Sequence, residues 1–539
     1  MASMKKNELQ KGGAWRSLIT NSKRGWTPRN LSLIVLSAVA VGLLFIFAGC
    51  ASVGPSYVEP EVPQSSAWQA KDDVNVTDGA TSLDAWWEVF EDPVLDGLIE
   101  MAYRQNLTLH AAAVRIAEAR AELGIAKGGL WPQQQSLDAI YQYSNLSENA
   151  PNVNPSILDT SFGEWGLSFD VAWELDFWGK YRRAIESGAA ELEAAIANYD
   201  DVLVTLTAEV ARVYVLIRTL EERLVVAREN VQIQERSLQI TQVRFEGGFA
   251  TELDVQQARG LLSTTQALIP AAEAALTRSK NSLAVLLGML PGQVDDLLTV
   301  AAPIPTSAAA VAVGVPAELL RRRPDIRLAE RQLAAQSARI GIAKSDLYPQ
   351  FTLFGSIGIR SKELGDLFSA DSIEFFSGPA LKWDVLNYGR IRNSVRVQDA
   401  RFQQLLLNYE NTVIRAHREV EDAMVSFLRS QERQQFLFDG VEAFKRAVDL
   451  SLLQYSEGFI DYQRVLDTQR SLTLQQDEYV TASGTVALSL IGMYKALGGG
   501  WEIRKGEDFI SEDIKQQMSE RTNWGNLLEQ EELEPPIEE

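Results

Sequence analysis

Trp173-Glu174-Leu175-Asp176-Phe177-Trp178-Gly179-Lys180 returns 210 residues later as Trp383-Asp384-Val385-Leu386-Asn387-Tyr388-Gly389-Arg390. The same offset carries Asn198-Tyr199 to Asn408-Tyr409, Glu209-Val210 to Glu419-Val420, and Phe245-Glu246-Gly247-Gly248-Phe249 to Tyr455-Ser456-Glu457-Gly458-Phe459. Gly124-Ile125-Ala126-Lys127 with Trp131-Pro132 matches Gly341-Ile342-Ala343-Lys344 with Tyr348-Pro349 at an offset of 217, so one loop differs by seven residues. The chain is a tandem duplication of one unit, much longer than the repeats of about 20 to 50 residues that build solenoids.

Each unit reads as helix, strand pair, very long helix, tight turn, helix. Asp92-Pro93 supplies an N-cap and a first-turn proline, and the helix it opens is expected to run to about Gly128, before Trp131-Pro132. Its counterpart opens at Arg323-Pro324-Asp325. Behind each break the hydrophobic period changes to two, which is a strand pattern. Trp165, Leu167, Phe169, Val171, Trp173 and Leu175 alternate with small or polar residues, as do Phe351, Leu353, Gly355, Ile357 and Ile359, then Leu381, Trp383 and Val385. A half-buried soluble sheet gives the same alternation. Strands of about ten residues with Trp and Tyr at their ends favour a membrane barrel.

The long helices carry the clearest signal. Ile196, Leu203, Val210, Ile217, Leu224, Val231, Leu238 and Phe245 fall seven apart, with Tyr199, Leu206, Val213, Leu220 and Ala227 interleaved. The second unit repeats the seam with Leu406, Val413, Val420, Phe427, Gln434, Val441, Val448 and Tyr455. Such a/d spacing predicts coiled-coil packing. Pro270, whose counterpart is Val480, is expected to kink only the first copy.

One Cys and two His in 539 residues exclude disulfide frameworks and zinc sites, and they argue against a Cys-His nucleophile. Residues 1–29 hold seven Lys or Arg against one Glu, and an uncharged apolar run from Leu31 to Ala48 ends in Phe47-Ala48-Gly49-Cys50. That is an export signal, and an uncleaved anchor is the alternative, because 18 apolar residues just suffice to span a membrane. Removing residues 1–49 takes the formal charge from −21 to −27, an acidic body unsuited to nucleic acid. Residues 506–539, with eleven acids against two bases, read as a solvated tail.

Two strands per unit give four per chain, and four strands cannot close a barrel. An open edge in lipid leaves backbone groups unpaired, so membrane strands require oligomerisation. Two chains would give a barrel filled by side chains and three a barrel with a lumen. Polar Ser168, Asp170, Lys382 and Asp384, expected to face inward, favour three chains.

Several motifs together resemble the TolC-like outer-membrane efflux proteins, in their lipoprotein (NodT/OprM-like) branch. They are Gly54-Pro55-Ser56-Tyr57, Trp86-Trp87 through Phe90, Asp92, Pro93, Leu95 and Leu98, Arg322-Arg323-Pro324-Asp325-Ile326, Gly378-Pro379, and Val465-Leu466-Asp467 with Gln469. The resemblance implies a mixed α and β membrane fold: a homotrimer with a twelve-stranded barrel in the outer membrane, continued by a twelve-helix α-barrel across the periplasm. Gly49-Cys50 resembles a lipobox, implying a covalent lipid on Cys50, palmitate included, and no other cofactor or metal. The implied partners are a periplasmic adaptor, an inner-membrane efflux transporter and outer-membrane lipid. The implied role is the passive exit duct of a tripartite pump. A type I secretion duct, a structural coiled-coil lipoprotein and an outer-membrane enzyme with a carboxylate site stand as alternatives.

On this reading residues 1–49 are the signal, 50–92 an extended lipidated segment, 93–290 and 317–500 the two repeats, 291–316 an equatorial linker and 501–539 the tail. Strands are expected within about 133–176 and 350–387, and long helices over about 185–245 and 391–455. By analogy with the family, the periplasmic gate draws on Asp449, Leu452, Leu453, Asp461 and Arg464, with Thr251, Glu252 and Asp254 as first-copy candidates. Gly247, Gly248, Thr251 and Gly458 form the adaptor-docking tip, the glycines in left-handed turn positions. Asp170, Lys382 and Asp384 line the barrel, and His110 and His417 are ordinary surface or packing residues. Metabolic labelling with radioactive fatty acid is expected to mark the wild-type chain and not Cys50→Ala; an unlabelled wild type would remove the lipid anchor.

Overall fold

The computed structural model describes residues 52–61, 68, 76–77, 83–151, 156–157, 159–299, 301–306, 311–312 and 322–529. The export segment, Cys50 and part of the linker lie outside them. In chain order the elements are α1 (Pro93–Gln105), α2 (Leu107–Gly128), β1 (Gln134–Asn145), β2 (Ser161–Glu174), α3 (Lys180–Glu246), α4 (Glu252–Gln266) and α5 (Leu268–Leu286). There follow α6 (Pro324–Ser345), β3 (Gln350–Ser361), β4 (Ile373–Lys382), α7 (Arg390–Ser456), α8 (Tyr462–Ala496) and α9 (Glu512–Arg521).

The duplication is literal in the frame. Helices α3 and α7 have 67 residues each and start and stop at the 210-residue offset. Each is about 100 Å long at 1.5 Å per residue. Both are launched by a glycine in the left-handed region, Gly179 at φ 76° and Gly389 at φ 81°, a conformation that an L-residue pays for. Gly179 has a second reason to lack a side chain, since a Cβ there would lie 2.6 Å from the Ser52 hydroxyl.

The second-copy seam is buried along nearly its full length, from Val413 and Val420 through Phe427 to Val441, Val448 and Tyr455. The first-copy seam is buried with apolar side chains only as far as Ala227. Beyond it Val231 and Leu238 are half-buried and Phe245 is exposed, while Asn230, Gln234, Ser237 and Thr241 are buried instead. Hydrogen bonds to α8 explain the change. Asn230 Nδ2 donates to Gln476 Oε1 at 2.7 Å, and the Thr473 hydroxyl donates to Asn230 Oδ1 at 3.1 Å. Gln234 Nε2 donates to the same hydroxyl at 3.3 Å. Periodicity alone assigned Val231 and Leu238 to the seam, where Asn230 and Ser237, one residue earlier, are buried instead, while Gln234 and Thr241 continue the interleaved set at seven-residue spacing with polar side chains.

The first helix is not continuous to Gly128 as expected. It breaks at Asn106, which caps α2 by accepting from Leu109 N–H at 2.9 Å and donates Nδ2 to the Leu286 carbonyl, the last of α5, at 2.8 Å. Arg323, 217 residues on, likewise bonds the carbonyl of Ala496, the last of α8 and 210 residues beyond Leu286. The two copies therefore share a joint in which α5 runs into α2 and α8 runs into α6, each a shorter column beside a continuous helix. Pro270 acts as expected: the first-copy helix is interrupted between Gln266 and Leu268, four residues before the missing N–H, where α8 is unbroken.

The strands form one antiparallel meander in the order β1-β2-β3-β4. β4 stops at Lys382, so Trp383, Asp384 and Val385 lie outside it, contrary to expectation. Gly378 and Pro379 fall within the edge strand, where a missing N–H is tolerated. The indole of Trp383 donates to Leu347 O at 3.1 Å, as that of Trp173 donates to Leu130 O at 3.1 Å. These bonds turn the chain from sheet to helix.

Around the middle of α3 a large core gathers Trp86, Trp87, Phe90, Leu95 and Leu98 with Tyr214, Leu490 and Tyr494. A short parallel pair, Val76–Thr77 with Val311–Ala312, ties the N-terminal segment to the linker. The tail departs from the solvated extension expected of it, because α9 and its flanks bury Ile510, Met518 and Leu528 in this core. Of the tail, residues 530–539 lie outside the described residues.

Asp92 joins two elements here. It accepts from Val94 N–H at 2.9 Å as the α1 cap and from the Tyr214 hydroxyl at 2.6 Å. Asp92→Ala is expected to cost about 1–2 kcal/mol, read as a lower unfolding temperature of the detergent-solubilised protein.

Candidate functional site

The sheet has two chemically distinct faces. On one, Leu137, Phe169, Ile357 and Phe375 stand in register across the four strands, and Ala139, Leu167, Ile359 and Ile373 form the next row. This face is exposed, with Leu137 at 72% and Phe375 at 79%, and Tyr141 and Trp165 meet on it with rings 4.5 Å apart. The opposite face carries Asp138, Ser168, Gly358 and Glu374 in one row. There Asp170 accepts from the Ser168 hydroxyl at 2.7 Å, and Arg360 bridges Glu164 at 2.8 Å and Glu374 at 2.9 Å. Asp170 and Lys382 stand on the polar face. Asp384 lies beyond the strand and lines a hollow below it with Lys382, Tyr348, Gln350 and Arg390. Among the described residues no helix is long and apolar enough to cross a membrane.

The opposite end of the long helices holds the tight turns. Gly248 and Gly458 have φ of 78° and 85°, as expected of left-handed turn positions. Gly247 does not, with φ −78°, and Glu457 occupies the same place in copy two at φ −80°. Thr251 and Asp254 form a reciprocal capping box at the start of α4. Asp461 caps α8, accepting from Arg464 N–H at 3.3 Å. Asp449, Leu453, Glu252 and Arg464 are exposed, whereas Leu452 packs against Tyr455, Tyr462, Val465 and Leu466.

Two features at this end were missed in the sequence. Arg244 of α3 lies over the Tyr455 ring, 4.9 Å from its centre, and donates Nη1 to Ser456 O at 2.9 Å, joining the ends of the two long helices. Phe249 and Phe459, equivalent residues just past the turns, are 77% and 79% exposed. The repeat placed both phenylalanines, but nothing in the sequence pairs Arg244 with the other copy.

The outer membrane efflux protein model matches residues 98–289 and 315–499. The chain belongs to that family. It is 33% identical over 77% of its length to the pyoverdine export outer membrane protein OpmQ of Pseudomonas putida, covering 88% of that protein. It is 32% identical over 85% of its length to nodulation protein T of Rhizobium leguminosarum bv. trifolii, covering 96% of it. Among solved structures, the outer-membrane channel OprN superimposes with a TM-score of 0.79 at 31% identity, over 84% of this chain and 99% of that one. The fold is therefore that of an outer-membrane efflux channel, which sits in the outer membrane and extends into the periplasm.

Midway along this efflux protein, Asp201, Arg323, Asp325, Glu419 and Lys495 line a hollow where α3, α6, α7 and α8 meet. Burial, reinforced by Asp325, raises the Asp201 carboxyl from 3.8 to about 6, against the opposing pull of Arg323 and Lys495 and with a small further push from Glu419. The neighbouring Asp200 is also raised by burial although Arg504 and Arg327 pair with it. His110 bonds the Arg104 carbonyl region, its Nε2 3.1 Å from that oxygen, and His417 packs beside Trp68. A carboxyl raised in the native state holds its proton more tightly than in the unfolded chain. Its contribution favours folding at low pH and is lost as pH climbs from about 4 through about 6. Asp201→Asn is expected to remove that decline and to unfold at a higher temperature than wild type near neutrality, as melting curves recorded across this pH range would show.

Proposed function

We propose that three copies of this chain form the passive exit duct of a tripartite efflux system, lipid-anchored through Cys50. One observation carries this reading: a four-stranded antiparallel sheet, apolar on one face and polar on the other, ends among the described residues in two strands, β1 and β4, each paired on one side only. In lipid each unpaired backbone group costs several kcal/mol. Closure between chains removes that cost, and three chains of four strands make a ring of twelve, wide enough for water against Asp170 and the Glu164-Arg360-Glu374 bridge. The long helices continue the ring into the periplasm as paired columns. Nothing in this scheme breaks a bond, so the site is a lining, a gate and a docking surface.

A periplasmic adaptor docks at the turns around Gly248 and Gly458, where exposed Phe249 and Phe459 offer apolar contact, and an inner-membrane transporter supplies the energy. The relatives' names mention pyoverdine and nodulation, and we propose that the transporter rather than the duct selects the cargo. The gate lies where Arg244 clasps Tyr455 and Ser456 and where Asp449, Leu453 and Asp461 from three chains would form rings. Three carboxylates in one ring attract cations and repel one another. In planar bilayers Arg244→Ala is expected to raise single-channel conductance several-fold, and Asp461→Ala to weaken block by divalent cations. Unchanged conductance and block in both variants would place the gate elsewhere; a wild type that conducts nothing would remove the duct.

A further inference from the structure

The two joints of a chain occupy equivalent places and are built from different chemistry. In the first copy, neutral Asn106 bonds the Leu286 carbonyl. In the second, the guanidinium of Arg323 bonds the Ala496 carbonyl, and its other N–H groups go to Asp325 at 3.0 and 2.7 Å and to Glu419 at 2.8 Å. The charge continues around it. The hollow there is lined by Asp201 of α3, Arg323 and Asp325 at the head of α6, Glu419 of α7 and Lys495 of α8. Next to Asp201, the fully buried Asp200 is held by Arg504 and Arg327. The repeat-equivalents of Asp201, Arg323, Asp325 and Lys495 are Asn411, Asn106, Thr108 and Val285, none of them charged.

Within this group Asp201 stands apart. Asp325 and Glu419 share Arg323, Asp200 holds two arginines, and Lys495 is exposed to solvent. Asp201 is half-buried and, among the described residues, forms no ion pair and no side-chain hydrogen bond. Its ionised form faces Arg323 across the hollow as a competing acceptor. A carboxylate binds a guanidinium more strongly than a neutral carbonyl does, so loss of the Asp201 proton offers Arg323 an alternative to Ala496. Burial, then the charge of Asp325 and last that of Glu419, keep the proton on up to about pH 6, against the pull of Arg323 and Lys495.

We propose that Asp201 is a proton-operated catch for the second-copy joint. Protonated, it leaves Arg323 on the Ala496 carbonyl, and α8 is fixed to α6. Ionised, it draws the guanidinium to itself, and the column is free to swivel. The first-copy joint, made of neutral groups, does not respond. Every group involved lies in one chain, so the catch does not depend on how many chains close the duct. The full-length chain in detergent, spin-labelled at Gln332→Cys on α6 and Thr481→Cys on α8, reads this joint, and Arg115→Cys on α2 with Ala271→Cys on α5 are the equivalent first-copy sites, all four exposed. The wild-type chain, labelled in parallel, gives the background from Cys50. The second-copy distance distribution is expected to be narrow at pH 5 and several-fold broader at pH 7.5, changing near pH 6, while the first-copy distribution is the same at both. Adding Asp201→Asn should keep the second-copy distribution narrow at both values. Lys495→Gln, at an exposed position, removes a cation that favours the ionised carboxyl and should move the change to higher pH, which tests the catch even where Asp201→Asn does not fold. A second-copy pair that ignores pH in the folded wild type, keeps its response in Asp201→Asn or is unmoved by Lys495→Gln overturns the catch. A first-copy pair that broadens in step overturns it too, because the loosening would then be general.

Discussion

Lipid offers no hydrogen bonds, and that single constraint orders the molecule. A sheet of four strands leaves two rows of backbone N–H and C=O groups that hydrocarbon cannot satisfy. Within one chain the problem is half solved by duplication, since β2 of the first copy pairs with β3 of the second over ten residues on each side. On the proposed reading the rest falls to other chains. In the proposed ring the 210-residue spacing would serve closure, since both copies present long helices of the same length.

The helical part answers a different demand. Coiled-coil seams hold helices by side chains alone, and the first-copy seam changes its chemistry along its length. Near the middle, buried Leu203, Val210 and Ile217 sit in the large aromatic core, where Tyr214 and the fully buried Arg218 are tied to Asp92 and Glu221. Toward the turns the contact between α3 and α8 becomes the Asn230, Gln234 and Thr473 ladder. Apolar packing is tolerant of side-chain identity, while a buried polar network is specific in register. The middle thus supplies burial, and the distal half supplies alignment.

Much of this was legible in the sequence. The repeat offset fixed both 67-residue helices, and Asp92, Pro270, Gly248 and Gly458 behaved as their chemistry dictates. What failed did so for identifiable reasons. A heptad count rewards Val231 and Leu238 and is blind to the hydrogen bonds that bury Asn230 beside them and Gln234 in the interleaved set. An unbroken apolar pattern hid the cap at Asn106, whose meaning lies in a carbonyl 180 residues distant. Alternation carried β4 past its end into Trp383 and Asp384, because an aromatic turn residue looks like another outward strand position. Charge density made the tail look solvated, although three apolar side chains, Ile510, Met518 and Leu528, anchor it. At the functional end the acids and glycines could be named from the sequence. The clasp from Arg244 to Ser456 could not, because it joins residues 212 apart.

The joints at Asn106 and Arg323 have a mechanical consequence. Each chain holds two unbroken rods, α3 and α7, and two columns divided at mid-height, where a side chain bonds to a main-chain carbonyl instead of continuing the helical ladder. An unbroken helix resists bending and twisting along its whole length. A divided column can swivel at the division with little loss of hydrogen bonding. Each division therefore lets its column swivel against the unbroken helix beside it at little cost in backbone hydrogen bonds.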